Sequence, residues 1–197
     1  MSRLIYLLGA AWLLASSGIA QAIESLAFKV VDSQQNVEIR QYAEHMLATV
    51  RVSAEFGEAG SQAFRPLFNY ISGENAGEEK IAMTAPVLQQ LDTQSDQWLV
   101  SFVMPSEFDD TSLPVPSSDI VSVSIQPSLL MAALQYRGGW SQSRYEEHEQ
   151  KLMETLGDLQ LSVCGEPRWA RHDPPFMPWF MRKNEILIPL CETSSNG

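Results

Sequence analysis

Val37-Glu-Ile-Arg-Gln-Tyr42 alternates apolar and polar residues as a half-buried strand does, and Val123-Ser-Ile125 repeats its apolar phase 86 positions later. The same offset pairs Arg51 with Arg137 and lays one predicted helix over another. Three matched residues are weak support, because apolar alternation alone produces some coincidence. The agreement in element order carries more weight. Outward from Val37–Tyr42, Leu26–Val31 precedes it as a strand across a turn at Asp32–Asn36, and His45–Val52 follows as a third. Phe56, Ala59, Ala63, Phe64, Leu67, Phe68 and Ile71 recur at helical spacing within Ala54–Ile71. Pro66 inside that pattern is expected to kink the helix or mark a fresh start. Lys80–Leu88 and Trp98–Met104 read as strands separated by the polar stretch Gln89–Gln97, and Pro105–Ser118 as a surface loop. A second round follows: strands Ile120–Ile125 and Leu129–Arg137, a polar helix Ser141–Leu156, then strands Leu161–Arg171 and Glu185–Leu190 around a Pro-rich loop. Strand-strand-helix-strand-strand thus occurs twice with no linker. This predicts an α+β fold in which two pseudo-symmetric halves share one sheet over residues 23–197.

The first 22 residues read differently. Arg3 is followed by the apolar run Leu4–Ala15, the break Ser16-Ser17-Gly18, and the small-x-small pattern Ala20-Gln21-Ala22. That is the pattern of a removable signal peptide, and the run is too short to span a ~30 Å hydrocarbon core. The expectation is a protein of the periplasm or one that is secreted, with no transmembrane segment after signal removal. Its formal net charge of −11 argues against nucleic acid and anionic lipid as partners, since neither gains counterion release from an acidic chain.

Two stretches are more specific. One is Lys80-Ile-Ala-Met-Thr-Ala-Pro-Val87, preceded by Tyr70-Ile-Ser-Gly-Glu-Asn75. The other is Asp173-Pro-Pro-Phe-Met-Pro-Trp-Phe-Met-Arg-Lys-Asn-Glu185. With Val37–Tyr42, Trp98–Pro105 and Leu113-Pro-Val-Pro116, they resemble, in order from about Phe28 to Pro189, the SOUL family of haem-binding proteins. The resemblance implies a distorted eight-stranded antiparallel sheet or barrel flanked by two helices, built from a duplicated unit. The element order leads to the same architecture. It also implies an apolar groove for haem or another tetrapyrrole, beside the first helix and under the Pro-rich loop before the last strand. Mapped here, Phe64, Leu67, Phe68 and Ile71 supply the helix face, and Phe176, Met177, Trp179 and Met181 the loop. Arg65, Arg182 and Lys183 are placed to meet two propionates.

Each assignment has a plainer alternative. A Phe/Leu stripe at helical spacing is more often core than cofactor slot. The large apolar residues of Phe176–Met181, with Phe176, Met177, Trp179 and Met181 among them, either tuck onto the sheet or wall a site. For iron, the resemblance implies that some relatives place a histidine before the tyrosine matching Tyr42, where this chain has Gln41. The remaining candidate ligands are His45, His172, Met177 and Met181, which points to non-covalent binding that does not depend on a strong axial ligand. The alternative functions are a binding module for another small hydrophobic ligand, or a small-molecule hydrolase on the same pocket.

Cys164 and Cys191 are the only cysteines. If the last two strands pair antiparallel with these two opposed, Trp169 faces Ile186 and Ala170 faces Glu185. Opposed Cβ atoms lie about 4.5–5.5 Å apart, and an exported protein meets oxidising conditions, so a disulfide is expected. Catalytic patterns are missing: there is no Gly-x-Ser-x-Gly, phosphate loop, His-Glu-x-x-His or Cys-x-x-Cys. His148 among Glu146, Glu147 and Glu149 reads as a solvated helix face rather than a metal site. Thr84 and Glu185 are assigned to turns or cross-strand bonds. The chain is read as a binder, not an enzyme.

Overall fold

The computed structural model describes residues 23–191. They form β1 (Glu24–Ser25), β2 (Phe28–Gln34), β3 (Val37–Tyr42), β4 (His45–Val52), α1 (Phe56–Ile71), β5 (Thr84–Ala85), β6 (Val87–Asp92) and β7 (Gln97–Val103). The second half supplies β8 (Val121–Gln126), β9 (Leu129–Arg137), α2 (Gln142–Asp158), β10 (Arg168–Arg171) and β11 (Lys183–Pro189). The predicted signal, residues 1–22, lies outside the described residues.

Nine strands form one antiparallel sheet in the order β2-β3-β9-β11-β10-β6-β7-β4-β8, and β1 pairs with β5 alone. The sheet curls into a half-barrel, because Arg168 on β10 donates to Gln126 Oε1 on β8, four places along that order, at 2.9 Å. Exchanging β3 with β8, β4 with β9, β6 with β10 and β7 with β11 maps the sheet, apart from β2, onto itself in reverse. The central β6–β10 pair therefore marks a pseudo-twofold. Each half lends its first strand to the other: β3 pairs with β9 and β8 with β4. Neither half completes its sheet alone, which is why no linker divides them. The ninth strand, β2, extends the β3 edge outside the duplicated unit. The predicted offset of 86 is seen where α1 and α2 begin, at 56 and 142, and in β7 and β11, which span 97–103 and 183–189.

Both helices cover one face of the sheet. α1 buries Ala59, Ala63 and Leu67 against Ala48, Val100 and Phe102, while α2 buries Tyr145, Leu152 and Leu156 against Leu134, Ile186 and Ile188. Phe56 stacks on Trp169 at 4.7 Å and ties the helix–sheet clusters together. The opposite, inner face carries a smaller core of Tyr42, Leu47, Leu88, Ala133, Ala170 and Leu187.

Several boundaries differ from expectation. α1 runs unbroken through Pro66. The ring removes one backbone donor, but Ala59, Ala63, Leu67, Tyr70 and Ile71 are buried on either side and hold the helix to the sheet. The expected strand Lys80–Leu88 is split at Pro86, which cannot donate to a ladder, and β6 instead continues to Asp92. The turn after β2 narrows to Gln35-Asn36, with Gln35 in the left-handed region at φ 55°. Of Leu161–Arg171 only Arg168–Arg171 is strand, with an isolated bridge at Val163.

Cys164 and Cys191 are bonded. The predicted register of Trp169 with Ile186 and Ala170 with Glu185 is observed. Beyond it the strands slip by two, so that Val163 pairs with Leu190. Cys164 N donates to Pro189 O at 2.9 Å and Cys191 N to Ser162 O at 2.8 Å. The cysteines are thus diagonal neighbours rather than opposed, with Cα atoms 5.0 Å apart.

Candidate functional site

The predicted helix stripe divides in two. Leu67 and Ile71 are buried in the core, as is usual for such a stripe. Phe64 and Phe68 stay 44% and 49% exposed on the flank of α1, their rings stacked at 5.7 Å. Phe64 also meets the Phe102 ring edge-on at 5.7 Å. This places the flank over a strip of the sheet whose register reads Phe102, Val87, Arg171, Asn184 across β7, β6, β10 and β11. At about 4.8 Å per strand the strip is ~14 Å wide.

The predicted loop residues border its far side. Trp140 donates to Asn184 Oδ1 at 2.9 Å, and Arg182 lies over the Trp140 ring at 4.2 Å. Phe176 and Trp179 are 86% and 62% exposed, Met181 is exposed and Met177 half-buried, so the loop does not tuck onto the sheet. Arg182 holds the loop from within, donating to Met177 O at 2.8 Å and Pro175 O at 2.5 Å. Arg137 donates to Met181 O at 2.7 Å, and Asp173 Oδ2 accepts from Lys183 N at 2.5 Å. Of the expected cations, Arg182 is therefore engaged with backbone carbonyls. Arg65 is exposed and has no hydrogen-bond or ion-pair partner among the described residues.

Arg171 and Gly60 were not singled out from sequence. The Arg171 guanidinium lies between Trp169, at 4.3 Å, and Trp140, at 5.3 Å, and donates to Gln89 Oε1. Burial without a carboxylate lowers its pKa to about 10. A Cβ on Gly60 would sit 2.5 Å from Arg171 Nη1. The helix therefore needs a residue without a side chain there, and an isolated glycine within a helical pattern was the available signal.

His45 and His172 sit on the inner face, and His148 on α2. Glu185, 2% exposed, accepts from His172 Nε2 at 2.8 Å and Arg40 Nη2 at 3.1 Å, with Lys183 Nζ at 3.4 Å. Burial pushes the carboxyl up, but the bonds from His172 and Arg40 prevail and hold it near about 2. Burial likewise pushes Tyr42, bonded to Arg40 at 3.1 Å, up to about 12. His45 hydrogen-bonds Ala43 O through Nδ1 at 2.8 Å, and its buried Nε2 has no partner. Burial, with a smaller contribution from Arg168, lowers its pKa. His148 bonds Arg144 O and stacks on Tyr136 at 3.9 Å. Thr84 Oγ1 bonds Val103 O at 2.5 Å, the cross-strand role expected of it. Among the described residues no three His, Cys, Asp or Glu side chains gather as a metal site.

Two concavities flank these features. One of about 240 Å³ lies on the other flank of α1, lined by Arg65, Pro66, Tyr70, Pro116 and Ile120. The other, about 150 Å³, lies beside His45, Met104 and Phe108. Both are smaller than the roughly 300–1,000 Å³ of enclosed small-molecule pockets. The apolar flank at Phe64 and Phe68 is an open surface.

The fold is thus an α+β module, a duplicated half-barrel with an exposed aromatic pair on the flank of one helix. The chain belongs to the SOUL heme-binding protein family, whose model matches residues 23–189. Membership supports a small hydrophobic ligand of the haem or tetrapyrrole class. The chain is similar to Heme-binding protein 1 of Xenopus tropicalis, 27% identical over 161 residues, 76% of this chain and 80% of the relative. Among solved structures it resembles the C-terminal domain of EcmrR, at TM-score 0.63 and 12% identity over 80% of this chain and 98% of that one. A hydrolase from Listeria innocua is similar at TM-score 0.58 and 10% identity, over 82% and 94%. At these identities the two structures share the fold alone. Among the described residues no helix is long and apolar enough to cross a membrane.

Proposed function

We propose that the chain is an exported haem- or tetrapyrrole-binding protein, a carrier, buffer or scavenger of the periplasm or the secreted fraction, holding the macrocycle against the open flank of α1. The single observation carrying the location is the stacked, half-exposed Phe64–Phe68 pair above the Phe102–Val87–Arg171 strip. Flat aromatic rings offer a porphyrin face area and offset stacking. Arg171, within that strip, is the cation nearest the macrocycle, whereas Arg65 lines the concavity on the other flank of α1 and Lys183 pairs with Glu185 on the inner face. Export rests on the pattern of residues 1–22, where a charged start, an apolar run and Ala20-Gln21-Ala22 follow one another.

Binding is non-covalent and does not depend on a strong axial ligand. Gln41, which the family resemblance matches to a histidine in some members, is a poor iron ligand, and His172 is held by Glu185. Titrating residues 23–197 with hemin should give a saturable Soret shift at micromolar protein. Its absence would refute the haem reading in favour of another small hydrophobic ligand. Phe68→Ala and Met177→Ala should weaken binding more than His148→Ala; equal effects from all three would place the ligand elsewhere.

A further inference from the structure

The β10–β11 connection is larger than the fold requires. Its counterpart between β6 and β7 closes in four polar residues, Thr93-Gln94-Ser95-Asp96, whereas β10–β11 takes His172–Arg182. The added chain presents Phe176, Trp179, Phe180 and Met181 to solvent. Loop tips are normally polar, and a cluster of large apolar side chains held outward marks a contact surface. These side chains are held there: Arg182 and Arg137 bond the loop's own carbonyls, and Asp173 ties it to Lys183.

The base of this loop is positive although the chain carries −11 overall. Arg182 and Arg171 both face the Trp140 ring, Arg144 Nη2 bonds Arg137 O at 3.2 Å, and Lys183 follows directly. Asp173 and the buried Glu185 are the carboxylates bound into that cluster. An exposed Trp/Phe tip over a collar of Arg and Lys has the layering of a lipid interface, with rings at acyl-chain level and cations at the phosphates. The acidic remainder acts weakly there, because charges separated by more than a Debye length, ~8 Å at physiological salt, are screened.

We propose that the β10–β11 loop is a membrane-docking tip, inserting Phe176, Trp179 and Phe180 into a phospholipid surface with Arg137, Arg182 and Lys183 at the headgroup phosphates. The proposal stands on the loop alone and does not depend on the ligand reading. The test is flotation of residues 23–197, free of the apolar Leu4–Ala15 run, with phosphatidylcholine vesicles with and without phosphatidylglycerol. The protein should float with both, more with the anionic lipid at physiological salt, where the acidic remainder is screened, and Trp179 emission should shift to the blue. Phe176→Ser/Trp179→Ser/Phe180→Ser should lower the partition coefficient about tenfold or more. The exposed single variant Phe176→Ser, which leaves the core untouched, should lower it in part. Wild-type protein that stays with the soluble fraction overturns the proposal, as does equal flotation of the triple variant. A triple variant that loses hemin affinity while wild type fails to float would make the loop a ligand wall instead. Wild type that dimerises through the tip without floating would make it a self-association surface.

Discussion

α1 and α2 occupy equivalent places in the two halves, yet their outer flanks are opposite in character. At the offset of 86, Phe64 and Phe68 correspond to Gln150 and Glu154. Both pairs are one helical turn apart. In α1 the two rings stack, and in α2 Gln150 Nε2 donates to Glu154 Oε1 at 2.9 Å. A helix in this position packs on the sheet with a polar pair on that flank, as α2 demonstrates. The half-exposed aromatic pair of α1 therefore answers to something other than folding. The loops repeat the lesson, four polar residues in one half against an aromatic eleven-residue connection in the other.

The largest effect should come from a second inequality, on the inner face, where Glu185 corresponds to the apolar Leu99 of the first half. Glu185→Ala leaves the buried Arg40 with only the part-exposed Glu38 carboxylate, strips His172 of its acceptor, and should cost about 3–5 kcal/mol in denaturant unfolding. In wild type the carboxyl is depressed from 4.5 to about 2, so its contribution is complete above about pH 4.5 and vanishes as pH falls through about 2. That contribution is about 3 kcal/mol, and an acid titration of stability should show it disappear in this window and be absent from Glu185→Ala. Next come the buried flanks, where the two helices should behave alike. Leu67→Ala and Leu152→Ala each remove a fully buried side chain and should each cost about 2–5 kcal/mol. A large disparity would break the equivalence of the halves.

Within α1, glycine positions should diverge. Gly57→Ala meets nothing within 4 Å and should raise stability by up to ~1 kcal/mol. Gly60→Ala drives a methyl into the Arg171 guanidinium, which Trp169, Trp140 and Gln89 hold in place, and should reverse that gain. Thermal melts of the pair decide it. The smallest stability effect belongs to Phe64→Gln/Phe68→Glu, which copies the α2 flank and should lie within about 0.5 kcal/mol.

The duplicated architecture was legible because apolar periodicity is set by which faces meet the core, and the strand register around Trp169 and Ala170 followed from pairing the cysteines. The two-residue slip near Cys164 was not legible, since nothing local in Val163–Pro167 specifies a bulge. Leu67 and Phe68 are adjacent and equally apolar, and only the contact with the sheet separates core from flank. Arg171 and Trp140 escaped notice because they meet across strands distant in sequence. The Glu38-x-Arg40-x-Tyr42 phase announced a polar face, whereas its burial against Glu185 depended on the curl of the sheet.

The most direct test is a hemin titration of Phe64→Gln/Phe68→Glu against wild type, with melting temperatures measured on the same samples. The expected result is an unchanged melt with affinity weakened about tenfold or more. An unchanged melt with unchanged affinity would contradict the assignment of this flank to the ligand.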